Sequence, residues 1–310
     1  MVTIRLVRRA MACDFAIVVA GENKAFLTDV ANEALDEIGR LDEQLSCFNP
    51  RSEVSFVNAN AAKSPVRVDP GLFELLRLAA DVRRDTGGAF DVTTGPLIDL
   101  WRAAEESGEE PSVKAMEEAL SKIGMERIVL DDSANSVAFA VEGVRINLGA
   151  IGKGYAVDRA ASVLADYGIE SALVSGGASS IRAIGIPPDG EAWNIGIRHP
   201  SKIDERVTTV QLADRAMATS GGVRQRDECV KERFEHIIDP VTGRPAEPSA
   251  VSVTVLAPKA ALADALSTAF YLRGRDMAES YCRRHSDISA IIVEQPKGFP
   301  TFNFQLSTFN

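Results

Sequence analysis

The chain has 310 residues, enough for one large domain or two closely packed ones with a well-buried core. Its apolar fraction of 45% and charged fraction of 25% are those of an ordinary soluble globular protein, which excludes disorder and fibrous structure. The formal net charge of −10 argues against nucleic-acid binding, which needs a concentrated basic surface. An anionic ligand must therefore meet local positive charge or a metal.

The cysteines and the N-terminus bear on the cellular compartment. The four cysteines are widely spaced and contain no Cys-x-x-Cys pair, so neither a zinc site nor a disulfide framework is indicated. Arg5, Arg8 and Arg9 precede Cys13, a faint similarity to a lipoprotein processing site, but the apolar segment such a site needs is missing. We expect no transmembrane span and a cytoplasmic location, unless a leader was omitted.

Long helices and short strands alternate along the first half of the chain. Apolar residues recur at helical spacing from Phe26 to Leu45, which predicts an amphipathic helix. Asp69 followed by Pro70 is typical of a helix start, and this second helix should end near Thr86. The other elements predicted here are two strands within 2–20, an acidic surface helix near 112–124 and short strands around 127–148.

The most informative stretch covers residues 147–158. An apolar strand pattern at Val144, Ile146 and Leu148 leads into three glycines within six residues and then into a helical pattern. Glycines let a backbone approach a ligand, and the amides of a helix N-terminus attract anions, so the layout predicts phosphate binding, with Lys153 adding a positive charge. It matches neither the P-loop nor G-x-G-x-x-G, which disfavours a nucleoside triphosphatase. A turn that needs glycine only for packing is the alternative.

The second half of the chain contains mostly strands. The predicted elements are strands at 171–175, 179–186, 192–198, 207–213 and 251–256, a helix at 260–272 and a late hairpin that includes 291–294. Antiparallel-looking strand runs with a few long helices indicate the α+β class rather than a doubly wound sheet. No low-complexity linker is present, so we predict that residues 1–310 form a single domain of two intimately packed lobes sharing a cleft.

A helix around Asp264 has the features of a metal site. An ionised Asp is costly to bury without a partner, and Asp264 and Thr268, four residues apart, lie on one helical face. A carboxylate, a hydroxyl and nearby carbonyls are hard oxygen ligands suited to Mg²⁺ or Ca²⁺. Alternatively, Asp264 accepts from a nearby backbone N–H and Thr268 bonds back within its own helix.

Three further residues are candidates for binding or catalysis. His236 sits in a strand-then-turn pattern before Asp239-Pro240 and a Thr242-Gly243 turn, although a lone histidine is more often structural. Phe48 and Phe90, each next to Asn or Asp and a turn, could stack on a ring. Aromatic residues at turns are usually core residues, so both explanations stay open.

Five separated segments together resemble the ApbE family, the FAD:protein FMN transferases. The segments are Ser-x-Phe-Asn-Pro-x-Ser-Glu-Val at 46–54, Gly-Ala-Phe-Asp-Val-Thr-x-Gly-Pro-Leu at 88–97, Leu-Gly-Ala-Ile-Gly-Lys-Gly-Tyr-Ala-Val-Asp at 148–158, His-Ile-Ile-Asp-Pro-x-Thr-Gly-x-Pro at 236–245 and Ala-Asp-Ala-Leu-Ser-Thr-Ala at 263–269. Any one could arise by chance. All five in the family order, across nearly the whole chain, are highly specific.

The resemblance implies Mg²⁺-dependent transfer of the FMN half of FAD to a Ser or Thr of an acceptor protein, with AMP leaving. It implies an ApbE-like, T-fold-like architecture of mixed and antiparallel sheets, with FAD in a cleft between two lobes. The implied metal ligands are Asp264, Thr268, the Ser267 backbone and the Ala150 carbonyl. The implied FAD contacts are Met11, Phe48, Ala89, Phe90, Asp91, Asn147, Lys153 and His236. Asp264 and His236 are the implied catalytic residues, with His236 taking the proton of the acceptor hydroxyl.

The chain departs from the family pattern in two places. Asn147 stands where relatives usually carry Asp, and Ala178 follows Gly176-Gly177 where many have Asp. Most relatives are also exported and anchored to a membrane, which would make an extracytoplasmic location typical if a leader was omitted.

The sequence leaves two alternative functions open: hydrolysis of FAD to FMN and AMP, and FAD binding without catalysis.

Overall fold

The structure is a computed structural model and describes residues 1–199, 202–221, 237–247, 250–294 and 305–309. The chain forms two compact units. Unit 1 contains Met1–Asp42 and the described parts of Ile151–Gln225 and Pro248–Asn310, while unit 2 contains Glu43–Ala150 and the described part of Arg226–Glu247. Unit 2 is thus inserted into unit 1 at two points of the sequence. The joining of two lobes into one inseparable domain stays a prediction.

Helices and strands cover most of the described chain. In chain order they are β1 (Val2–Ala10), β2 (Cys13–Gly21), α1 (Lys24–Leu45), α2 (Glu53–Asn60), β3 (Val66–Arg67), α3 (Pro70–Asp85), α4 (Gly95–Ser107), α5 (Val113–Leu120), β4 (Ile128–Asp131), β5 (Ser136–Phe139), α6 (Gly152–Asp166), β6 (Ala172–Gly176), β7 (Ser180–Ile184), β8 (Trp193–His199), β9 (Lys202–Leu212), β10 (Ala216–Gly221), β11 (Ala250–Ala257), α7 (Ala260–Arg273), α8 (Arg275–Arg284), β12 (Ser289–Glu294) and β13 (Gln305–Phe309). A single 3₁₀ turn, Met125–Arg127, precedes β4. In this described part, no helix combines the length and hydropathy needed to cross a membrane.

The core of unit 1 is an antiparallel sheet with the strand order β1-β2-β6-β7-β10-β11-β12-β13 among the described residues. Successive side chains of a strand point to opposite faces of a sheet. Met217 of β10 packs on one face against the β8–β9 hairpin, whereas Ser220 contacts α7 on the other. The hairpin-side cluster consists of Ala183, Ile197, Val210, Leu212, Met217, Leu256 and Ile291.

The described part of unit 2 combines a small sheet with four helices. The strands pair in the order β3-β5-β4, and α2 to α5 are the helices. Residues 237–247 attach to α4, because the Trp101 indole Nε1–H donates to the Gly243 carbonyl at 2.6 Å. Gly243 has φ +73°, and a Cβ there would lie 2.5 Å from the Met116 sulfur, so this turn requires glycine.

The α+β class is confirmed, since antiparallel sheets coexist with long helices. The predicted helix at 26–45 corresponds to α1, and the Asp69-Pro70 start is that of α3, where Asp69 Oδ1 accepts from the Gly71 amide at 2.8 Å. The helices α2, α4 and α8 and the strands β3 and β10 were not predicted.

Candidate functional site

Helix α7 places the predicted metal ligands of unit 1 side by side. Asp264 is 3% exposed and Ser267 is fully buried, whereas Thr268 is half-buried. The Ser267 and Thr268 hydroxyls both donate to the Asp264 backbone carbonyl, at 2.9 and 3.3 Å. The back-bonding considered for Thr268 is therefore present, and the three residues share one helical face as their spacing predicts. Their role as metal ligands stays a prediction.

Ser220 of β10 adds a fourth oxygen to this group, although sequence reasoning assigned it no role. Its hydroxyl lies 2.8 Å from Ser267 Oγ and 3.1 Å from Thr268 Oγ1. The only signal in the sequence is the order Thr219-Ser220-Gly221-Gly222, a pair of hydroxyls before two glycines. We call Ser220, Asp264, Ser267 and Thr268 the oxygen cluster.

The chemistry of the oxygen cluster fits a hard divalent cation. Mg²⁺ is usually held by one or two carboxylates, with water and substrate phosphate oxygens completing its coordination. The cluster offers one carboxylate and three hydroxyls. Carboxylate and hydroxyl oxygens are hard donors of the kind that Mg²⁺ or Ca²⁺ prefers. No group of three or more His, Cys, Asp or Glu side chains suited to a metal occurs among the described residues.

The start of α6 differs from the predicted phosphate-binding turn in one respect. The Gly154 amide, in the first turn of the helix, donates to Asp264 Oδ2 at 3.0 Å. Asp264 is therefore partnered by a backbone amide, as the non-metal alternative requires, but one from another helix. A Cβ on Gly154 would lie 2.3 Å from the Ala260 carbonyl oxygen, so the packing explanation holds for this glycine. Lys153 is half-buried beside it.

The segment before α6 is extended but is not a regular strand, so the prediction of a strand at 144–148 was wrong. Val144, Ile146 and Leu148 are buried as the alternation predicted. However, the only backbone bridge in this segment pairs Arg145 with Thr94. The Asn58 side chain bonds both the amide and the carbonyl of Ile146, at 2.7 and 3.0 Å, so a side chain takes the place of a neighbouring strand.

Met11, a predicted FAD contact, lies in a strained turn between β1 and β2. Met11 and Ala12 have φ of +46° and +59°, values that non-glycine residues rarely adopt. The Asp42 carboxylate accepts from the Met11 amide at 2.9 Å and holds this conformation. Strain of this kind is often found at binding sites. Burial raises the pKa of the adjacent Cys13 thiol, and Lys153 partly opposes this effect, which places Lys153 near the same turn.

Phe48 and Phe90 have opposite environments in unit 2. Phe48 is 61% exposed, and the Arg102 guanidinium carbon lies 4.7 Å from the centroid of its ring. Phe90 is 1% exposed and Ala89 is fully buried. The core explanation therefore holds for Phe90, and the predicted FAD contacts of Ala89 and Phe90 stay predictions.

Asp91 organises its own turn. Its carboxylate accepts from the amide and hydroxyl of Thr93, at 2.8 and 2.6 Å, and forms an ion pair with Arg83. The Thr93 hydroxyl accepts in turn from the Gly124 amide at 2.7 Å. Asp91 thus has a structural role here, and its predicted contact with FAD stays a prediction.

Asn147 connects two of the family segments within unit 2. Its Oδ1 accepts from the Gly149 amide at 2.8 Å, and its Nδ2 donates to the Cys47 sulfur at 3.3 Å. An Asp could accept from Gly149 in the same way but could not donate to Cys47. Ala150, the remaining predicted metal ligand, is the last residue of its segment of unit 2.

His236 lies outside the described residues, so its predicted role stays untested. The segment that follows it forms the predicted turn. Ile238 bridges to Pro245, and the Gly243 amide donates to the Asp239 carbonyl at 2.8 Å.

These features define an α+β protein in which the oxygen cluster lies beside the glycine-rich start of α6. The model of the ApbE family matches residues 10–292. The chain therefore belongs to the ApbE family, as the five segments predicted.

Proteins of known name are similar to this chain in sequence and in structure. The FAD:protein FMN transferase of Treponema pallidum is 31% identical, over 84% of this chain and 76% of that protein, and the one from Vibrio cholerae is 31% identical over 91% and 83%. The solved flavin transferase ApbE from Vibrio cholerae superposes with a TM-score of 0.83 at 27% identity, covering 99% of this chain and 97% of that one. The ApbE protein from Thermotoga maritima gives a TM-score of 0.84 at 30% identity with the same coverage.

Proposed function

We propose that this protein is an FAD:protein FMN transferase that uses Mg²⁺ to pass FMN from FAD to a Ser or Thr hydroxyl of an acceptor protein. Membership of the ApbE family carries the activity. The observation that carries the metal assignment is the oxygen cluster on α7 and β10. The Ser220 hydroxyl bonds those of Ser267 and Thr268, and these two hydroxyls donate to the backbone carbonyl of Asp264, whose buried carboxylate lies on the same helical face.

The proposed reaction is a phosphoryl substitution. The acceptor hydroxyl oxygen attacks the phosphorus on the FMN side of the diphosphate, forming a new P–O bond. The bond from that phosphorus to the bridging oxygen breaks, and AMP leaves with both electrons of that bond. The hydroxyl proton passes to a base, and we assign this role to His236. A bound Mg²⁺ offsets the charge of the diphosphate and the charge that develops as the bond breaks.

The residues of this chain then have distinct proposed roles. Asp264, Thr268 and the Ser267 backbone hold the cation, together with the Ala150 carbonyl. Lys153 contributes a second positive charge toward the diphosphate. Phe48 offers an exposed ring for stacking, since it is 61% exposed. Met11 is presented by the strained turn that Asp42 holds.

Incubation of the protein with FAD, Mg²⁺ and an acceptor flavoprotein tests the proposal. Transfer predicts that the acceptor gains the mass of an FMN phosphoester and that AMP is released in equal amount. Free FMN with AMP and an unmodified acceptor would indicate hydrolysis instead, and unchanged FAD would indicate binding alone.

Two substitutions test the assigned roles. Asp264→Ala should abolish Mg²⁺-dependent turnover, and full activity in this variant would refute the metal assignment. His236→Ala should lower kcat by about 10²–10⁴-fold, the usual contribution of a general base, while FAD still binds. An unaltered rate would leave His236 as a cofactor contact or a structural residue.

A further inference from the structure

Asp158 has no part in the proposed chemistry, yet it makes the most specific contact between α6 and α7. Its Oδ1 accepts from the Ala260 amide at 2.8 Å, and its Oδ2 accepts from the Ala261 amide at 2.9 Å. Both are first-turn amides of α7, which have no acceptor within their own helix. Lys259, the N-cap residue of α7, makes no side-chain capping bond. The cap of α7 is therefore supplied by α6.

A second contact one turn earlier on α6 reaches the predicted metal ligand itself. Gly154 lies four residues before Asp158, so the two share a face of α6. The Gly154 amide donates to Asp264 Oδ2 at 3.0 Å. The absence of a side chain at Gly154 permits the close approach, because a Cβ would lie 2.3 Å from the Ala260 carbonyl oxygen.

Together these contacts fix α7 at both ends of its first turn. The Asp158 carboxylate holds residues 260 and 261, and the Gly154 amide holds the side chain of residue 264. Without the Asp158 cap, two amides would be left without an acceptor and the first turn of α7 would be free to fray. Asp264 follows directly after that turn, so fraying would move its carboxylate relative to Ser267 and Thr268.

We propose that Asp158 is a positioning residue that orients Asp264 for binding the divalent cation by capping α7 from the neighbouring helix. This inference rests on the proposed function, because it takes Asp264 as a metal ligand. Partners that orient ligands in this way commonly change metal affinity 10- to 100-fold when they are removed, by general experience with metal sites.

Asp158→Asn tests the inference in the full-length protein. An amide of the same size can accept from only one of the two α7 amides. Mg²⁺ titration by calorimetry in the presence of FAD should show binding about 10-fold or more weaker than in the wild type. The control is Asp69→Ala, which removes the cap of α3, a helix with no predicted ligand, where Asp69 accepts from the Gly71 and Leu72 amides. This control should lose thermal stability without a change in Mg²⁺ affinity.

A rescue variant separates orientation from folding. Lys259 has the extended conformation of an N-cap residue, with φ −127° and ψ 143°, so Lys259→Ser can cap α7 locally. Adding Lys259→Ser to Asp158→Asn should restore both the melting temperature and most of the Mg²⁺ affinity. If it restores the melting temperature but leaves Mg²⁺ binding weak, capping is not the route and the inference is overturned.

The failure of this inference differs from the failure of the metal assignment. Wild-type Mg²⁺ affinity in Asp158→Asn, with binding lost in Asp264→Asn, would overturn the positioning role alone. Wild-type affinity in Asp264→Asn would overturn the metal assignment, and the positioning role with it.

Discussion

At the scale of single residues, Thr219 and Ser220 show how neighbours on one strand acquire different roles. The Thr219 hydroxyl bonds Thr254 at 2.8 Å, whereas the Ser220 hydroxyl bonds Ser267 and Thr268 on the opposite face of the sheet. Each substitution that deletes one of these hydroxyls removes a partly buried hydrogen bond, but only that of Ser220 touches the predicted metal ligands.

Ser220→Ala should therefore weaken Mg²⁺ binding about 10-fold, because Ser267 and Thr268 lose the partner that fixes their hydroxyls. Thr219→Val removes a comparable bond and serves as the control, with an expected cost of about 1 kcal/mol in stability and no change in Mg²⁺ affinity. Calorimetric Mg²⁺ titrations of both variants decide the matter. Equal affinities in the two would mean that Ser220 only stabilises the fold.

Substitutions of Phe48 and Phe90 should have opposite effects on FAD binding and on stability. Phe48→Ala should raise the KM for FAD while changing the free energy of unfolding by less than about 0.5 kcal/mol, because the ring is 61% exposed. Phe90→Ala should cost about 3–5 kcal/mol in stability, because a 1% exposed ring leaves a cavity. Urea unfolding and steady-state kinetics measure both. An unchanged KM in Phe48→Ala would exclude stacking on the flavin or adenine ring.

At the scale of elements, the α6–α7 junction tolerates no side chain at Gly154. Gly154→Ala should force the helices apart and cost about 1–3 kcal/mol or more, since the Cβ would meet the Ala260 carbonyl oxygen at 2.3 Å. The control is Gly39→Ala in α1, where nothing lies within 4 Å of the added Cβ, and there we expect about 0.5–1 kcal/mol of stabilisation. Thermal melts of the two variants should shift in opposite directions. A Gly154→Ala protein as stable as the wild type would contradict the close approach.

Helices with a clear apolar period were predictable from the sequence, and those without one were not. Helix α1 buries residues such as Leu27, Ile38 and Leu41 at regular spacing, which is why its bounds were almost correct. Helix α2 has only eight residues and buries only Val54 and Val57, so its sequence has no clear helical period. Helix α4 starts at Gly95-Pro96, a pair that is also typical of turns, although proline is common in a first helical turn.

The same limits apply to the site. The spacing of Asp264 and Thr268 correctly placed them on one helical face, because that depends only on local helix geometry. The contact of Ser220 with α7 depends on which strands are neighbours in the sheet, which the sequence does not state. Likewise, nothing local showed that Asn58 would bond residue 146 in place of a strand.

At the scale of the whole molecule, Asp158 makes stability depend on pH in a defined direction. Burial raises the pKa of its carboxyl above the ordinary value of 3.8, although the two α7 amides, Arg182 and Lys259 oppose the shift. The folded state thus binds this proton more tightly than the unfolded state does. The cost of burying the ionised carboxylate is therefore absent below a pH of about 3.8 and grows as the pH rises through the folded pKa, so stability falls over that range.

Asp158→Asn cannot titrate, so it provides the comparison. The free energy of unfolding of the wild type minus that of the variant should be largest near a pH of about 3.5 and should decline toward a pH of about 7. Urea unfolding across this range measures the difference. An advantage of the wild type that grows with pH would show that the amide hydrogen bonds outweigh the cost of burial.

The order of strands in unit 1 has a consequence for synthesis on the ribosome. Strand β2 ends at Gly21, but its neighbour β6 begins only at Ala172, after the whole first segment of unit 2 has been made. The central strands β10 and β11 follow later still. The nascent β1–β2 hairpin must therefore keep one edge unpaired while more than a hundred residues emerge, and this edge is where a chaperone would be most needed.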